Sequence, residues 1–491
     1  MGDKTRPGKL LFRVINNTAA LMGGDFFYHL INFAASILVA RSLGGEAYGK
    51  YSFIFVFLSF FEIIVQFGLN PILTRECAQK KNEIPQILGN AILIRLALMG
   101  MVLPVALVLI KVLGYPVSVQ QGVFLASFQL FLTLRSIYET VFRVNLAMFY
   151  PALWNALRAV LNLALVAAIV AFHPTIFLFI GASVVSGFAG LAGLILFSRR
   201  FIQIDFRPRW NLIRYLVKES APLIIASCLT LLYCKIDVFM LSMMKGFSDV
   251  GYYSVATRLT EPLDIIAGSV TVSLFPLLAR SFKENRSKFE IFFSKAFLTL
   301  LLIGLPLALG GSFVAKDLVL LFFGREYSVA GMTLGILFWY NFFGFLSTLF
   351  VNLLMACGKQ IMDAWLSLLL LFGNAVMNLF LIPQFSYNGA ALATVLTEIV
   401  GTTIMLAYLV RERTIRLPFP RREVMTALKI NIPFLIFLLG LKMIFALPLF
   451  VFILLGIFGY LALLLGLRII SLADLKNYAL HWIDRAEEIR K

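Results

Sequence analysis

The chain has 491 residues, of which 60% are hydrophobic and 14% are charged, and its mean hydropathy is +0.91. This composition excludes a soluble globular protein, and because apolar runs extend along the whole chain it indicates a polytopic membrane protein. The formal net charge of +18 would suit a nucleic-acid-binding protein, but the positions of the basic residues explain it better.

Fourteen apolar segments are each long enough to cross a membrane as a helix, which predicts an all-α fold. In chain order they cover residues 18–40, 51–69, 87–110, 118–138, 151–172, 175–197, 215–240, 250–278, 291–312, 328–352, 360–382, 387–410, 425–445 and 448–468. The last two are separated only at Ala446–Pro448. The tail 471–491 is amphipathic and is predicted to lie on the inner membrane surface.

Lysine and arginine are unequally divided between the two sides of these spans. With the N-terminus in the cytosol, 28 of them lie in cytosolic segments. The external loops hold six, which are Arg41, Lys50, Lys111, Lys245, Lys316 and Arg325. The positive-inside rule therefore places both termini in the cytosol of a cytoplasmic membrane, and it leaves no need for a nucleic-acid partner.

The two most basic loops, 198–210 and 411–423, each follow a block of six spans. This predicts a six-helix bundle at 1–200, a basic linker at 201–214, a second bundle at 215–413, and helices 13 and 14 at 414–470. GKYS at 49–52 is similar to GYYS at 251–254, and Asn162-Leu163 recurs as Asn378-Leu379. Because each block has an even number of spans, the repeat is expected to be parallel, with a pseudo-two-fold axis along the membrane normal.

The first span carries a polar stripe of Asp25, His29, Asn32 and Ser36 on one helix face. Such a stripe must face protein or a water-filled cavity, so we expect Asp25 and His29 to form an ion or proton site. Two further intramembrane carboxylates, Glu62 in span two and Glu398 in span twelve, join them as candidates for ion coupling. The alternative is that Asp25 only neutralises a nearby arginine, and that Asn32 and Ser36 bond neighbouring helices.

Basic residues inside the spans are candidates for binding an anionic head group. Arg95 and Arg158 lie at about the same depth as Asp25 and Glu62, so we expect the four to face one cavity. Structural ion pairs between these carboxylates and arginines are the alternative. Three further candidates complete the set, namely Arg258, Lys235 and Arg41.

The chain lacks the signatures of an enzyme. It has no P-loop, no zinc-ligand spacing and no Cys/His nucleophile arrangement, and its four cysteines suggest neither a metal site nor disulfides. We therefore predict no catalytic residue, no metal and no cofactor.

Several short motifs, in order along nearly the whole chain, resemble those of the polysaccharide-type flippases in the multidrug/oligosaccharidyl-lipid/polysaccharide exporter superfamily. They are Ala40–Tyr51, Phe67–Leu69, Thr74–Glu76, Asp237 with Val250–Tyr253 and Ala256, Phe323–Tyr327, Ala356–Lys359, Ile382-Pro383 and Asn388–Thr394. The resemblance implies two six-helix bundles arranged as a V around a central cavity, with two extra C-terminal helices. It also implies that a polyprenyl-(di)phosphate-linked glycan crosses from the cytosolic to the external leaflet by alternating access.

The residues fit an anionic substrate, because arginine binds phosphate through paired N–H donors while the lipid tail stays in the bilayer. A membrane potential or an H⁺ or Na⁺ gradient would assist transport, and we expect the protein to work as a monomer among membrane lipids. Two other functions stay open within the superfamily. A cation-coupled multidrug exporter would favour an acidic cavity with few arginines, whereas a peptidoglycan-precursor flippase would share the anionic substrate. A membrane scaffold is a third alternative, which the number of intramembrane charges disfavours.

Overall fold

The computed structural model describes residues 7–412, 414–415, 419–444, 447–467 and 469, and within these ranges all regular structure is helical. The helices are α1 (Pro7–Gln66), α2 (Leu69–Gln79), α3 (Ile84–Val112), α4 (Val117–Ala126), α5 (Arg135–Val144), α6 (Phe149–Phe172), α7 (Ile176–Ser198), α8 (Trp210–Met244), α9 (Phe247–Thr260), α10 (Asp264–Glu284), α11 (Arg286–Phe323), α12 (Ala330–Ala356), α13 (Gln360–Arg411), α14 (Phe419–Ile444) and α15 (Leu449–Gly466). Short 3₁₀ turns at Lys81–Glu83, Ser127–Leu134, Glu261–Leu263 and Arg325–Val329 join some of them. The predicted tail helix at 471–491 lies outside the described residues.

Twelve helical segments in the described part are long and apolar enough to cross a membrane, which confirms the all-α, multi-pass prediction. Two of them, Phe26–Gln79 and Trp365–Arg411, have 54 and 47 residues. At about 1.5 Å per residue each is roughly 70–80 Å long, more than twice the ~30 Å hydrocarbon core. Each therefore has the length for two crossings, and the count of fourteen spans stays a prediction.

Both long segments contain a break at the point where the sequence analysis separates two spans. Gly44 has φ 74° and ψ 174°, a conformation that glycine adopts without a steric penalty. Ser386 has φ 52° and ψ −131° inside α13. Because these residues leave the helical region, the chain changes direction there while helical hydrogen bonding continues on either side.

The described chain divides into two compact units, residues 1–251 and 252–491. In the first unit α1 packs against α3, α4, α6 and α8, and α6 packs against α7. One of its apolar cores lies where α2, α3, α5 and α7 meet the start of α8. The predicted linker 201–214 falls within this unit, and the predicted partition into bundles stays a prediction.

In the second unit α12 lies among α10, α11 and α13, and α14 and α15 pack against α11. Phenylalanine rings form its interior, where Phe293 and Phe297 stack within α11 and both contact Phe350 of α12. A separate apolar cluster joins α11 to α14 and α15 through Val314, Phe434, Leu438 and Phe452. Helices 13 and 14 of the sequence analysis thus pack on the second unit.

Candidate functional site in the first unit

The site is built around Arg95, which projects from the middle of α3 and has no exposed surface. Its Nη1 donates to Ser136 Oγ at 2.7 Å and to the Thr133 carbonyl oxygen, and its Nη2 donates to Asn70 Oδ1 at 2.6 Å. Ser136 Oγ also donates to Asn70 Oδ1 at 2.8 Å. Hydrogen bonds to neutral acceptors therefore hold this guanidinium, and it links α3 to α2, to α5 and to the turn before α5.

Arg158 on α6 is in a different environment. Its guanidinium carbon lies 5.7 Å from the centroid of the Tyr28 ring, within range of a cation–π contact. Its aliphatic stem packs on Gly190 of α7, where an added Cβ would lie 3.2 Å from Arg158 Cδ. Among the side chains that the structure describes, no carboxylate forms an ion pair with Arg158 and no acceptor forms a hydrogen bond with it. Among the described side chains, its N–H donors thus meet no protein acceptor.

Glu62 supplies negative charge near both arginines. It lies on α1, is exposed, and accepts a hydrogen bond from Gln66 Nε2 at 3.1 Å. Arg158 and Arg95 both act on it electrostatically, but within the described residues neither forms a direct ion pair with it. Within the described residues, Glu62 therefore does not form the alternative structural ion pair with Arg95 or Arg158.

A second carboxylate belongs to a half-buried ion pair on α5, in which Arg135 Nε donates to Glu139 Oε1 at 2.8 Å. Both groups act electrostatically on Arg158. We refer to Glu62, Arg95, Arg135, Glu139 and Arg158 as the first-unit charge cluster. It contains three guanidinium groups and two carboxylates, so one positive charge is not compensated within it, which favours an anion over a cation as its ligand.

The other candidates are distributed more widely. His29 is exposed on α1, its ring 5.4 Å from that of Tyr28, and the Asp25 side chain lies outside the described residues. Arg41 is exposed near the Gly44 break, and Lys235 is half-buried on α8. Both have partners in the structure. No contact described in the structure places either of them in the first-unit charge cluster.

In the second unit, Arg258 pairs with Glu261 at 3.1 Å, as their i,i+3 spacing indicates. Glu398 is buried on α13, with 6% of its surface exposed.

The sequence analysis did not identify a network at the end of α2. Glu76 is 2% exposed and accepts hydrogen bonds from Arg75 Nη2 at 3.1 Å and from Tyr215 Oη at 2.8 Å, while Lys80 Nζ lies 2.9 Å from its other oxygen. Arg75 Nη2 also donates to Glu219 of α8 at 2.8 Å. The local sequence shows only charges at a span end, so nothing in it indicates that a residue 139 positions away completes the network.

Comparison with known proteins gives a consistent family. Residues 14–282 match the family model described as "Polysaccharide biosynthesis protein", and residues 222–381 match the model described as MatE. The probable low-salt glycan biosynthesis flippase Agl15 of Haloferax volcanii is 24% identical over 41% of this chain and 43% of its own length. The capsular polysaccharide biosynthesis protein CapF of Staphylococcus aureus is 28% identical over 37% of this chain and 46% of its own. The chain thus matches about half the length of these relatives.

Two solved structures show the same fold. A lipid II flippase MurJ in an inward closed conformation has a TM-score of 0.76 at 15% identity, with 91% of this chain and 98% of that chain covered. An inward-facing MATE-family multidrug resistance transporter has a TM-score of 0.64 at 16% identity, with 78% and 93% covered.

Proposed function

Because the chain belongs to the polysaccharide biosynthesis protein family, whose model matches residues 14–282, we propose that it is a flippase for lipid-linked saccharide precursors. It moves the sugar head group from the cytosolic to the external leaflet of the cytoplasmic membrane by alternating access. The relatives named as glycan flippases support the substrate class. As a transporter it needs no catalytic residue, metal or cofactor, and it works as a monomer with both termini in the cytosol.

The observation that carries the proposal is the Arg158 guanidinium inside a membrane span, with which no carboxylate among the described side chains forms an ion pair. An intramembrane arginine costs several kcal/mol unless it is paired or solvated, so such a residue is kept for a function. A phosphate or diphosphate linker has the charge and the oxygen geometry that a guanidinium binds with two N–H donors. The Tyr28 ring stabilises the cation on one side without occupying these donors.

Within this proposal the candidate residues have different roles. Arg158 contacts the phosphate, and buried Arg95 positions α3 and adds its field to the site. Arg258, Lys235 and Arg41 guide the head group along its path. Asp25, His29, Glu62 and Glu398 respond to the H⁺ or Na⁺ gradient, since a charge moved through 100 mV contributes about 2.3 kcal/mol.

The test compares Arg158→Ala and Arg158→Lys with wild type in proteoliposomes that contain a fluorescent polyprenyl-diphosphate sugar. One charge-assisted hydrogen bond contributes roughly 1.5–3 kcal/mol, so the Ala variant should flip about 10- to 100-fold more slowly. Lysine should restore part of the rate, since it keeps the charge but not the bidentate geometry. Arg280→Ala is the matched control, because Arg280 is largely exposed and already paired with Glu284 at 2.9 Å.

Normal flipping by Arg158→Ala would contradict the proposed anion site. Transport of cationic drugs by the wild type, with no movement of the lipid-linked sugar, would favour the multidrug exporter instead. Using both a peptidoglycan precursor and a polysaccharide precursor in parallel vesicles separates the two lipid-linked substrate classes.

A further inference from the structure

The connection between α7 and α8 presents basic and aromatic side chains at one membrane face. The two helices are consecutive candidate membrane spans, Ile176–Ser198 and Trp210–Met244, so the chain between them stays on the face where α7 ends. Residues 199–214, which we call the basic connection, contain a single acidic residue, Asp205. They also contain five exposed arginines, which are Arg199, Arg200, Arg207, Arg209 and Arg214. Positive charge therefore predominates at this place.

The inner side of the basic connection is fixed to the first unit. Three of its apolar side chains pack against the core of α2, α3, α5 and α7, namely Phe201, Ile202 and Ile204. Buried Asn90 of α3 forms hydrogen bonds with the Arg207 carbonyl oxygen and with Arg209 N. Because Arg207 precedes Pro208, its backbone is also biased towards an extended conformation. Packing and hydrogen bonds thus set the position of the arginine backbones.

The outer side of the basic connection carries two large aromatic residues that the core does not use. Phe206 is 52% exposed and Trp210 is 77% exposed. They flank Arg207 and Arg209, and the Arg207 side chain is 91% exposed. Aromatic rings at the end of a membrane span favour the head-group level of the bilayer, where one side of the ring is apolar and the other is hydrated. The two rings therefore place both guanidinium groups at the level of the lipid phosphates.

The positive charge of the basic connection has little compensation from the protein. Among the described side chains, one carboxylate lies within 4.0 Å of a guanidinium of this segment, in the contact of Arg207 Nε with Asp205 Oδ1. An exposed pair at such a distance contributes little to stability. A guanidinium binds phosphate oxygens through two parallel N–H donors. The surface is therefore complementary in charge and in hydrogen bonding to an anionic phosphodiester.

We propose that the basic connection binds the head groups of anionic phospholipids, with Arg207 and Arg209 on the phosphodiester and Phe206 and Trp210 beside the upper part of the acyl chains. The positive-inside rule accounts for arginines on this face. It does not account for their position between two exposed rings on a segment that Asn90 fixes. The inference does not depend on the proposed flippase activity, since it concerns the surrounding lipid and not the transported one.

The experiment measures which lipid contacts Trp210 in the full chain, reconstituted in vesicles of equal phosphatidylglycerol and phosphatidylcholine content. In one set of vesicles the phosphatidylglycerol carries bromine atoms near the head-group end of its acyl chains, and in the other set the phosphatidylcholine does. Bromine quenches tryptophan fluorescence on contact, and the surface charge is the same in both sets. The chain has five tryptophans, so the signal of Trp210 is the difference between each protein with and without Trp210→Phe.

We expect brominated phosphatidylglycerol to quench Trp210 more strongly than brominated phosphatidylcholine. One basic residue near an anionic surface contributes about fivefold in affinity, so Arg207→Gln/Arg209→Gln should lower the preference by at least that factor. High salt should also lower it, because salt screens exposed charges. The three other arginines of the basic connection remain in this variant and keep the orientation signal. Arg421→Gln/Arg422→Gln is the matched control, since both arginines are exposed in the first turn of α14, and it should keep the preference.

Equal quenching of wild-type Trp210 by the two brominated lipids would overturn the inference without any arginine variant. A preference that survives Arg207→Gln/Arg209→Gln would also overturn it. So would a preference that Arg421→Gln/Arg422→Gln loses to the same extent, because the effect would then belong to the charge of the whole protein. Relief of the quenching by a polyprenyl-diphosphate sugar at low mole fraction would assign the surface to the transported lipid and contradict the inference as well.

Discussion

Arg95 and Arg158 are both intramembrane arginines, but the groups around them differ. Arg95 donates to three acceptors from α2, from α5 and from the turn that precedes α5, and it is fully buried. Arg158 contacts an aromatic ring and a glycine. Because hydrogen bonds to a charged donor contribute more than neutral ones, Arg95 serves the stability of the unit, whereas Arg158 is the residue to which we assign the ligand.

We expect Arg95→Ala to destabilise the protein. Its loss removes the buried charged donor from Asn70 Oδ1, Ser136 Oγ and the Thr133 carbonyl oxygen, and a hydrogen bond to a charged group contributes about 1.5–3 kcal/mol. Thermal unfolding of the detergent-purified protein should show a clearly lower midpoint or a loss of folded material. Arg158→Ala is the contrast and should keep the wild-type midpoint. If Arg95→Ala is as stable as wild type but no longer flips substrate, Arg95 contacts the substrate directly.

At the scale of elements, the segment between α7 and α8 is held against the start of α3. Asp205 N donates to the Pro85 carbonyl oxygen at 3.1 Å. The Asp205 carbonyl oxygen approaches Gly89 so closely that a Cβ added to Gly89 would lie 1.8 Å from it. Asn90 is fully buried, its Nδ2 donates to the Arg207 carbonyl oxygen at 3.3 Å, and its Oδ1 accepts from Arg209 N at 2.9 Å. One side chain thus replaces the backbone partners that this extended segment lacks.

Asn90→Ala should release this segment. Two main-chain groups, the Arg207 carbonyl and the Arg209 N–H, lose their partner, which costs roughly 1–3 kcal/mol. Limited trypsin digestion should then cut faster after Arg209, a bond followed by Trp210 rather than by proline. Asn352→Ala is the control, because the one hydrogen bond of Asn352 within the described part of the chain goes to the Thr348 carbonyl oxygen of its own helix. Equal digestion of both variants would show that Asn90 does not hold the segment.

The sequence predicts the membrane helices better than it predicts the contacts of the candidate functional site. Hydropathy alone places the membrane helices, because every span must be apolar over a fixed length. It also predicts the direction change near Gly44, since Gly44-Gly45 interrupts an apolar run. The partners of Arg95 were not predictable, because Asn70 and Ser136 are 25 and 41 residues away and are neutral residues common in membrane helices.

The same limit applies to the carboxylates. Sequence reasoning named Glu62 and Glu398 because charges inside spans are rare. It could not tell that Glu62 is exposed on α1 while Glu398 is buried on α13, because burial is set by helices that are distant in the sequence.

For the whole molecule, the direction of transport depends on which face of the membrane each connection occupies. The structure gives the order of the helices, and the lysine and arginine distribution of 28 against six gives the expected side. The connection around Arg200 carries several exposed arginines, whereas the connection at Gly246 is a tight turn with φ 130° between α8 and α9. One helix, α8, separates them, so the two must lie on opposite faces if α8 crosses the membrane once.

A reporter fused after Arg200 should therefore give a cytosolic signal, and one fused after Gly246 should give an external signal. The energetic reason is that moving a cluster of arginines outward against an inside-negative potential costs about 2.3 kcal/mol per charge at 100 mV. Alkaline phosphatase and green fluorescent protein fusions at both positions are complementary readouts, since each is active on one side only. Neutralising Arg207, Arg209 and Arg214 together should weaken this bias, whereas neutralising Lys316 and Arg325 should not. A cytosolic signal at Gly246 in the unmodified sequence would reverse the orientation, and the proposed flippase would then expose its arginine site to the wrong leaflet.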